Sequence, residues 1–370
     1  MSGAPFFRDD IQILRGVAVI AVLVFHLDSD VFPNGYLGVD IFFVISGFVL
    51  ARKFLPIVNA EDSNGRMREL VSFLSYRFWR LTPALLLTIL LGSLLFLALM
   101  PIPTHQTYAM QSLLSLIYLG NVGAIKLSPN YFQATSNPMI HTWSLAVEWQ
   151  FYSFFPIAIL LSQAIFKTSF IKADLQDLMY LMFAVSSLLF VSQHFGYQFG
   201  SGIVIQEFGT SYYSPIFRAW EFITGCILGL KFHAQGEEKI RLNTTWHYLI
   251  LVVFVLQLIY NQELNQVLAS ILIVGITSLV IYVRSFLVLR SRILSSLFVW
   301  VGERSYSIYL IHYPLVFIAK QSPFLNLGAE NGRQIPTLLA VVLVFVSADF
   351  MYKYVELKYK FKLRRSNDGT

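Results

Sequence analysis

The chain has 370 residues, 56% hydrophobic, 16% aromatic and 13% charged, with a formal net charge of +6 at pH 7. Soluble domains carry about 25% charged residues, so the apolar surplus has to face lipid, which excludes a plain soluble enzyme, a disordered chain and a disulfide scaffold around the single Cys226. The positive balance does not read as a nucleic-acid surface, because no basic cluster is interleaved with base-stacking aromatics.

A spanning helix needs about 20 mostly apolar residues. Ten segments qualify, at 11–28, 37–54, 82–100, 144–163, 178–195, 215–232, 246–260, 267–283, 297–319 and 335–354. They predict an all-α fold, a polytopic membrane helix bundle of about ten transmembrane helices. An eleventh apolar stretch, 109–125, is short and ends on Gly120, Asn121 and Gly123; it predicts an additional re-entrant or interfacial helix inside an extracytoplasmic segment 101–142. Basic residues decide the count. With the N-terminus inside, only Lys126, Lys320 and Arg333 of the 27 Lys and Arg fall outside, and Arg218 and Arg304 lie within spans. An eleventh span would move the later basic loops and the C-terminus outside. The prediction is therefore ten spans with both termini cytoplasmic, a transmembrane domain over 1–356 and a basic tail over 357–370. No cleavable leader is evident in the first apolar run.

Ionisable groups inside spans are costly and are functional candidates. On the first span, Arg15 and His26 are eleven residues apart, which puts them on one helix face, roughly 16 Å apart along the axis. Arg15 near the inner end also fits a side chain snorkelling to headgroups, with His26 simply closing the helix. The second span opens with NGYLGVDIFFVISGF, placing Asp40 just inside its outer end. The two spans form an antiparallel hairpin, with His26 and Asp40 at similar depth. A carboxylate that orients an imidazole suits general-base catalysis; helix capping or a salt bridge is the structural alternative for Asp40. Arg77 and Arg80, in YRFWRLTPALL before the third span, fit either phosphate binding or topological anchoring. Glu148, one turn into HTWSLAVEWQFYSFFP, shares a face with Ser144 and Tyr152 and suggests a pocket lining or proton relay. Arg218 and Glu221 are an i, i+3 pair that favours self-neutralisation. His312, between Tyr309 and Tyr313, fits an interfacial aromatic belt as well as a ligand, and His141 at the outer surface is a candidate substrate contact. No metal-ligand, G-x-S-x-G or Walker pattern is present.

Taken together, FRDDIQILRGVAVIAVLVFH, GYLGVDIFFVISGFVL, YRFWRLTPALL, NPMIHTWSLAVEWQFY and GERSYSIYLIHYPL resemble the motifs of the acyltransferase family 3 integral-membrane proteins, in family order from residue 7 to about 314. The resemblance implies transfer of an acyl group, usually acetyl, from cytoplasmic acyl-CoA to a hydroxyl of a cell-envelope carbohydrate such as O-antigen lipopolysaccharide, exopolysaccharide, a lipid-linked sugar or peptidoglycan. Acetyl-CoA is then the donor, and no metal is implied. It assigns Arg15 and His26 as required residues, Arg77 and Arg80 as the Arg-x-x-Arg element and Glu148 as the intramembrane Glu. One departure is Trp149, where relatives commonly have a second Glu. Another is the lack of the extracytoplasmic SGNH esterase-like domain carried by a related subgroup, so the expectation is a stand-alone transferase or one completed by a separate periplasmic protein. The rival class is a transporter or flippase for a lipid-linked or anionic precursor, although no inverted repeat supports it.

Overall fold

The structure is a computed structural model that describes residues 8–60, 62–127, 137–167, 175–198, 212–234, 243–260, 266–288, 292–325 and 334–358. Most of the expected basic tail (359–370), together with Lys172, Lys239, Arg241, Arg290 and Arg333, lies outside the described residues. Among the described residues there is no strand, and each expected apolar segment is helical: α1 (Asp9–Leu27), α2 (Gly38–Asn59), α3 (Ser63–Leu99), α4 (His105–Leu116), α5 (Gly120–Leu127), α6 (Trp143–Lys167), α7 (Leu175–Gln198), α8 (Pro215–Ala234), α9 (Thr244–Ile259), α10 (Gln266–Val283), α11 (Arg292–Glu303), α12 (Ser305–Gln321) and α13 (Gln334–Met351). Five helical stretches among them are long and apolar enough to cross a membrane: Asp9–Leu27, Asn64–Leu99, Ile140–Leu161, Gln266–Val283 and Gln334–Glu356. Large apolar side chains such as Leu94, Leu97, Leu188 and Leu338 point outward from these and neighbouring helices, as lipid-facing surfaces require. The chain is a multi-pass membrane protein.

It divides into two compact units, each assembled from separated stretches: Met1–Ala51 with Glu221–Tyr306, and Arg52–Trp220 with Ser307–Thr370. In the first unit α1 is the central helix, its Leu14, Ala18, Val19 and Val22 fully buried. Lipid supplies no hydrophobic drive between helices, so close approach by small residues has to do that work. A Cβ on Gly302 of α11 would sit 1.9 Å from Gln12 O of α1, and one on Gly38 at the start of α2 would sit 2.4 Å from Ala18 O. Arg8 closes the N-terminal end of α1. Its guanidinium pairs with Asp10, donates to Ile281 O on α10 at 3.0 Å, and lies over the Phe48 and Phe232 rings. The sequence reading counted Arg8 only as a topological charge; it is a buried pin.

One expected span is corrected here. The 297–319 segment is two helices, α11 and α12, broken at Arg304. The Arg304 guanidinium folds back over the Trp300 ring at 4.3 Å and donates to Trp300 O at 3.1 Å. With 12 residues, α11 is too short to cross. Only the short polar stretch 302–305 separates the two apolar runs, too brief to stop a window of about 20 residues from merging them.

In the second unit α3 is 37 residues long, roughly 55 Å, and its polar first turns extend beyond a ~30 Å hydrocarbon layer. The 109–125 stretch proves to be the pair α4 and α5. Neither is long enough to span, and α4 runs alongside α3. His105 Nε2 donates to Met100 O at 3.0 Å, Tyr108 OH to Ile89 O at 3.0 Å, and Tyr118 OH meets Thr82 Oγ1 at 2.9 Å. Those contacts move from Met100 to Thr82, roughly 27 Å along α3. The segment therefore enters alongside α3, the re-entrant of the two expected geometries. Its tip is Tyr118, a non-glycine residue at φ 56, a left-handed backbone that is costly for an aromatic residue and persists only where surroundings enforce it. Gln111 Nε2 donates to Gly120 O at 2.8 Å, tying α4 to α5.

The glycine contacts give a paired test. Gly302→Ala is expected to destabilise the protein by about 1–3 kcal/mol through overpacking, whereas Gly275→Ala, where a Cβ meets nothing within 4 Å, leaves stability unchanged or slightly raised. Thermal unfolding in detergent measures both.

Candidate functional site

In the first unit, Arg15 and His26 lie on α1 as expected, both half-buried, and Asp40 is fully buried in the first turn of α2. The start of α2 lies against the outer half of α1: Gly35 abuts Ala21 and Phe25, and Gly38 abuts Ala18 and Val22. The connection is the antiparallel one the spacing predicts, but it sets the first turn of α2 opposite Ala18 and Val22, one to two turns inward of His26 rather than at the same depth. The carboxylate Asp40 stands in the first turn of its helix, where the macrodipole favours negative charge.

In the second unit, Arg77 and Glu148 are brought together through Tyr152. The Tyr152 hydroxyl donates to Glu148 Oε1, and the Arg77 guanidinium lies over the Tyr152 ring at 4.8 Å and the Phe73 ring at 5.7 Å. Arg77 is 6% exposed, and its Nε is buried with no hydrogen-bond acceptor. The aromatic faces hold the cation by its ring contacts while leaving an N–H edge for an incoming acceptor. Arg80, one helical turn further on, is half-buried and in electrostatic reach of Glu356. That carboxylate accepts from Ser307 Oγ and sits in a π-helical turn, Tyr352–Glu356, which ends α13. Sequence reasoning missed both Glu356 and Ser307. Glu356 is embedded in the basic run YKYVELKYK, which reads as a surface segment; only its 8% exposure marks it as different.

The α6 stripe is only partly what the spacing implied. Tyr152 joins Glu148, but Ser144 turns instead to Tyr309, with Oγ 2.7 Å from its hydroxyl. Trp149, the departure from the family pattern, stacks on Tyr118 at 4.5 Å between centroids and 18° between planes. Gln150 Nε2 donates to Tyr118 O at 3.0 Å and to Asn121 Oδ1 at 2.9 Å. Two neighbours of Glu148 thus seat the re-entrant tip. A carboxylate at 149 would forfeit the stacking contact.

Burial bears on both histidine readings: His141, expected at the outer surface, is enclosed by protein, and of the two alternatives for His312 the interfacial belt falls. The two residues are 1% and 0% exposed, with ring centroids 5.5 Å apart. Burial of this kind follows from their packing against Tyr309 and is invisible to hydropathy. Arg218, expected to pair with Glu221, is also fully buried, its guanidinium 4.4 Å from the Tyr212 ring centre.

The convergence of a buried arginine, a buried tyrosine and a half-buried carboxylate inside a membrane helix bundle defines a polytopic protein with a polar interior. The comparisons give that class a family. A family profile described as an acyltransferase domain matches residues 8–351, and the chain belongs to this acyltransferase family. It is 28% identical over 365 residues to the Bacillus subtilis protein named "Putative peptidoglycan O-acetyltransferase YrhL", covering 93% of this chain and 53% of that one. It is 26% identical over 375 residues to the O-acetyltransferase OatA of Staphylococcus aureus, covering 95% of this chain and 57% of that one. The chain therefore spans little more than half the length of these curated relatives. No solved structure matches it.

Tyr152→Phe keeps the ring beneath Arg77 and removes the bond to Glu148. It is expected to cost about 1 kcal/mol, and Tyr152→Leu about 1 kcal/mol more through the lost cation–π contact. Detergent unfolding midpoints should rank wild type, Phe, Leu in that order.

Proposed function

We propose that this chain transfers an acetyl group from acetyl-CoA to a hydroxyl of a cell-envelope carbohydrate, of the peptidoglycan class named for its Bacillus relative. The observation that carries the reading is the Arg77 guanidinium, buried yet with an Nε that meets no protein acceptor. A buried cationic donor of this kind is costly unless an anion answers it, and a planar N–H edge suits phosphate oxygens. Arg77 and Arg80 bind phosphates of the donor, Glu356 orients Arg80, and the Glu148–Tyr152 pair fixes the ring on which Arg77 rests.

On α1, Arg15 and His26 share a face over roughly 16 Å, a separation comparable to the length of a pantetheine arm. In the transfer, the acceptor oxygen attacks the thioester carbonyl. The C–S bond breaks as the ester C–O bond forms; the hydroxyl proton passes to His26, oriented by Asp40, and the leaving thiolate takes up a proton. Inner-membrane placement with cytoplasmic termini and ten spans follows from the same reading. A separate periplasmic partner is needed only if the acetyl group passes through a second carrier. A transporter of the same architecture would instead move substrate in the absence of acyl-CoA.

Purified Arg77→Ala protein is expected to bind acetyl-CoA about tenfold more weakly or worse, with glycan oligosaccharide binding within about twofold of wild type; equal losses on both sides refute the donor role. Cells carrying His26→Ala at normal protein level are expected to lose envelope O-acetyl groups. Wild-type O-acetyl content in that strain rejects the base assignment.

A further inference from the structure

The second unit holds a buried two-histidine centre that the chemistry above does not use. His141 precedes α6 in a 3-10 turn, Ile140–Thr142, and its Nε2 lies 3.1 Å from Leu310 O on α12. A carbonyl only accepts, so Nε2 carries the proton and Nδ1 of the neutral ring carries the lone pair. That Nδ1 is buried and has no hydrogen-bond partner. The residue's orientation is fixed at a second point, because Tyr309 OH donates to His141 O at 2.9 Å and is itself met by Ser144 Oγ at 2.7 Å. His312 Nδ1 donates to Tyr309 O at 2.7 Å. The rings of Tyr309, His312 and Tyr313 lie 5.6, 5.5 and 5.5 Å from that of His141.

We propose that this centre is the acceptor subsite, where His141 Nδ1 accepts a hydrogen bond from a sugar hydroxyl while the neighbouring aromatic rings take the apolar C–H face of the sugar. The proposal deepens the transferase reading and rests on it. A fixed, buried lone pair calls for an O–H or N–H donor, since an unanswered acceptor is costly at such a position. Glu148, the carboxylate in electrostatic reach of Tyr309, is already bonded by Tyr152, so a neutral O–H is a better match than a cation. Three of the four rings are buried, and Tyr313 is the half-buried one; its rotation is the way in. His141 binds the acceptor here and is not the base of the reaction.

Two isosteric variants separate this role from a structural one. His141→Gln places an amide N–H where Nε2 stands and so keeps the bond to Leu310 O, but removes the Nδ1 acceptor. His141→Asn places an amide oxygen at the Nδ1 position and gives up the bond to Leu310 O. The experiment measures acetyl transfer to a soluble N-acetylglucosaminyl–N-acetylmuramic acid disaccharide in proteoliposomes, disaccharide binding by intrinsic fluorescence, and acceptor-independent hydrolysis of acetyl-CoA. The expected result for Gln is a KM for disaccharide raised about tenfold or more, with the KM for acetyl-CoA and the hydrolysis rate within about twofold of wild type. Asn is expected to keep disaccharide affinity within about threefold while unfolding at a lower temperature. The reverse order, or a Gln variant indistinguishable from wild type, leaves His141 as a structural pin or a water site and overturns the proposal. Absence of disaccharide binding to wild type overturns it equally. Wild-type protein that binds disaccharide, with the Gln and Asn variants ranked as expected, but never acetylates it, supports the subsite and refutes the transferase reading alone.

Discussion

A charge held inside lipid has to be answered by the protein, and much of this structure is organised around answering arginines. Water is absent from the hydrocarbon layer, so each guanidinium draws aromatic faces, carbonyls and carboxylates to itself. Arg8 gathers Asp10, Ile281 O and two phenylalanine rings, and in doing so fixes the end of α1. Arg304 folds onto Trp300 and marks the break between α11 and α12. Arg77 is held by rings alone at its faces, with its Nε left over. The first two tie a helix end or a helix break to neighbouring backbone carbonyls, whereas the third rests on ring faces, and it is on this difference that the proposed donor site depends.

The α6 stripe and the re-entrant hairpin show how the surroundings of Arg77 are kept in register. Glu148 is steadied by Tyr152 from its own helix, while Trp149 and Gln150 seat Tyr118 at the hairpin tip. A strained backbone at Tyr118 is held by its stack, its hydroxyl contact to Thr82 and its carbonyl contact to Gln150. Aromatic stacking thus supplies at position 149 what a second carboxylate has no means to supply: a rigid floor for the hairpin.

How far the sequence disclosed this depends on the kind of signal. The helices were legible because lipid imposes a run length, and the hairpin of α1 and α2 because a short connection leaves few alternatives. The pairing of Glu148 with Tyr152 was legible as an i, i+4 spacing. The break at Arg304 was not, since the charged pair Glu303 and Arg304 reads equally well as polar residues within one span, and only the fold of the Arg304 side chain over Trp300 marks the break. Glu356 and the His141–His312 centre were illegible for a related reason. Their burial is made by residues more than forty positions away, such as Ser307 for Glu356 and Leu310 for His141, and local composition carries no trace of such partners.

The close contact of Gly302 with Gln12 has a consequence for biogenesis. The helix α1 carries a half-buried Arg15 and close contacts whose partner on α11 is synthesised almost three hundred residues later. Until α11 emerges, α1 has to persist as a hairpin with α2, with the Gln12–Gly16 face open to lipid or to an insertion chaperone. Contacts of such sequence separation form slowly, so the first unit closes only once α11 has been made, after the intervening helices have been synthesised. Truncations that end before residue 302 should therefore leave the N-terminal helix exposed to quality-control proteases, however well the remainder has inserted.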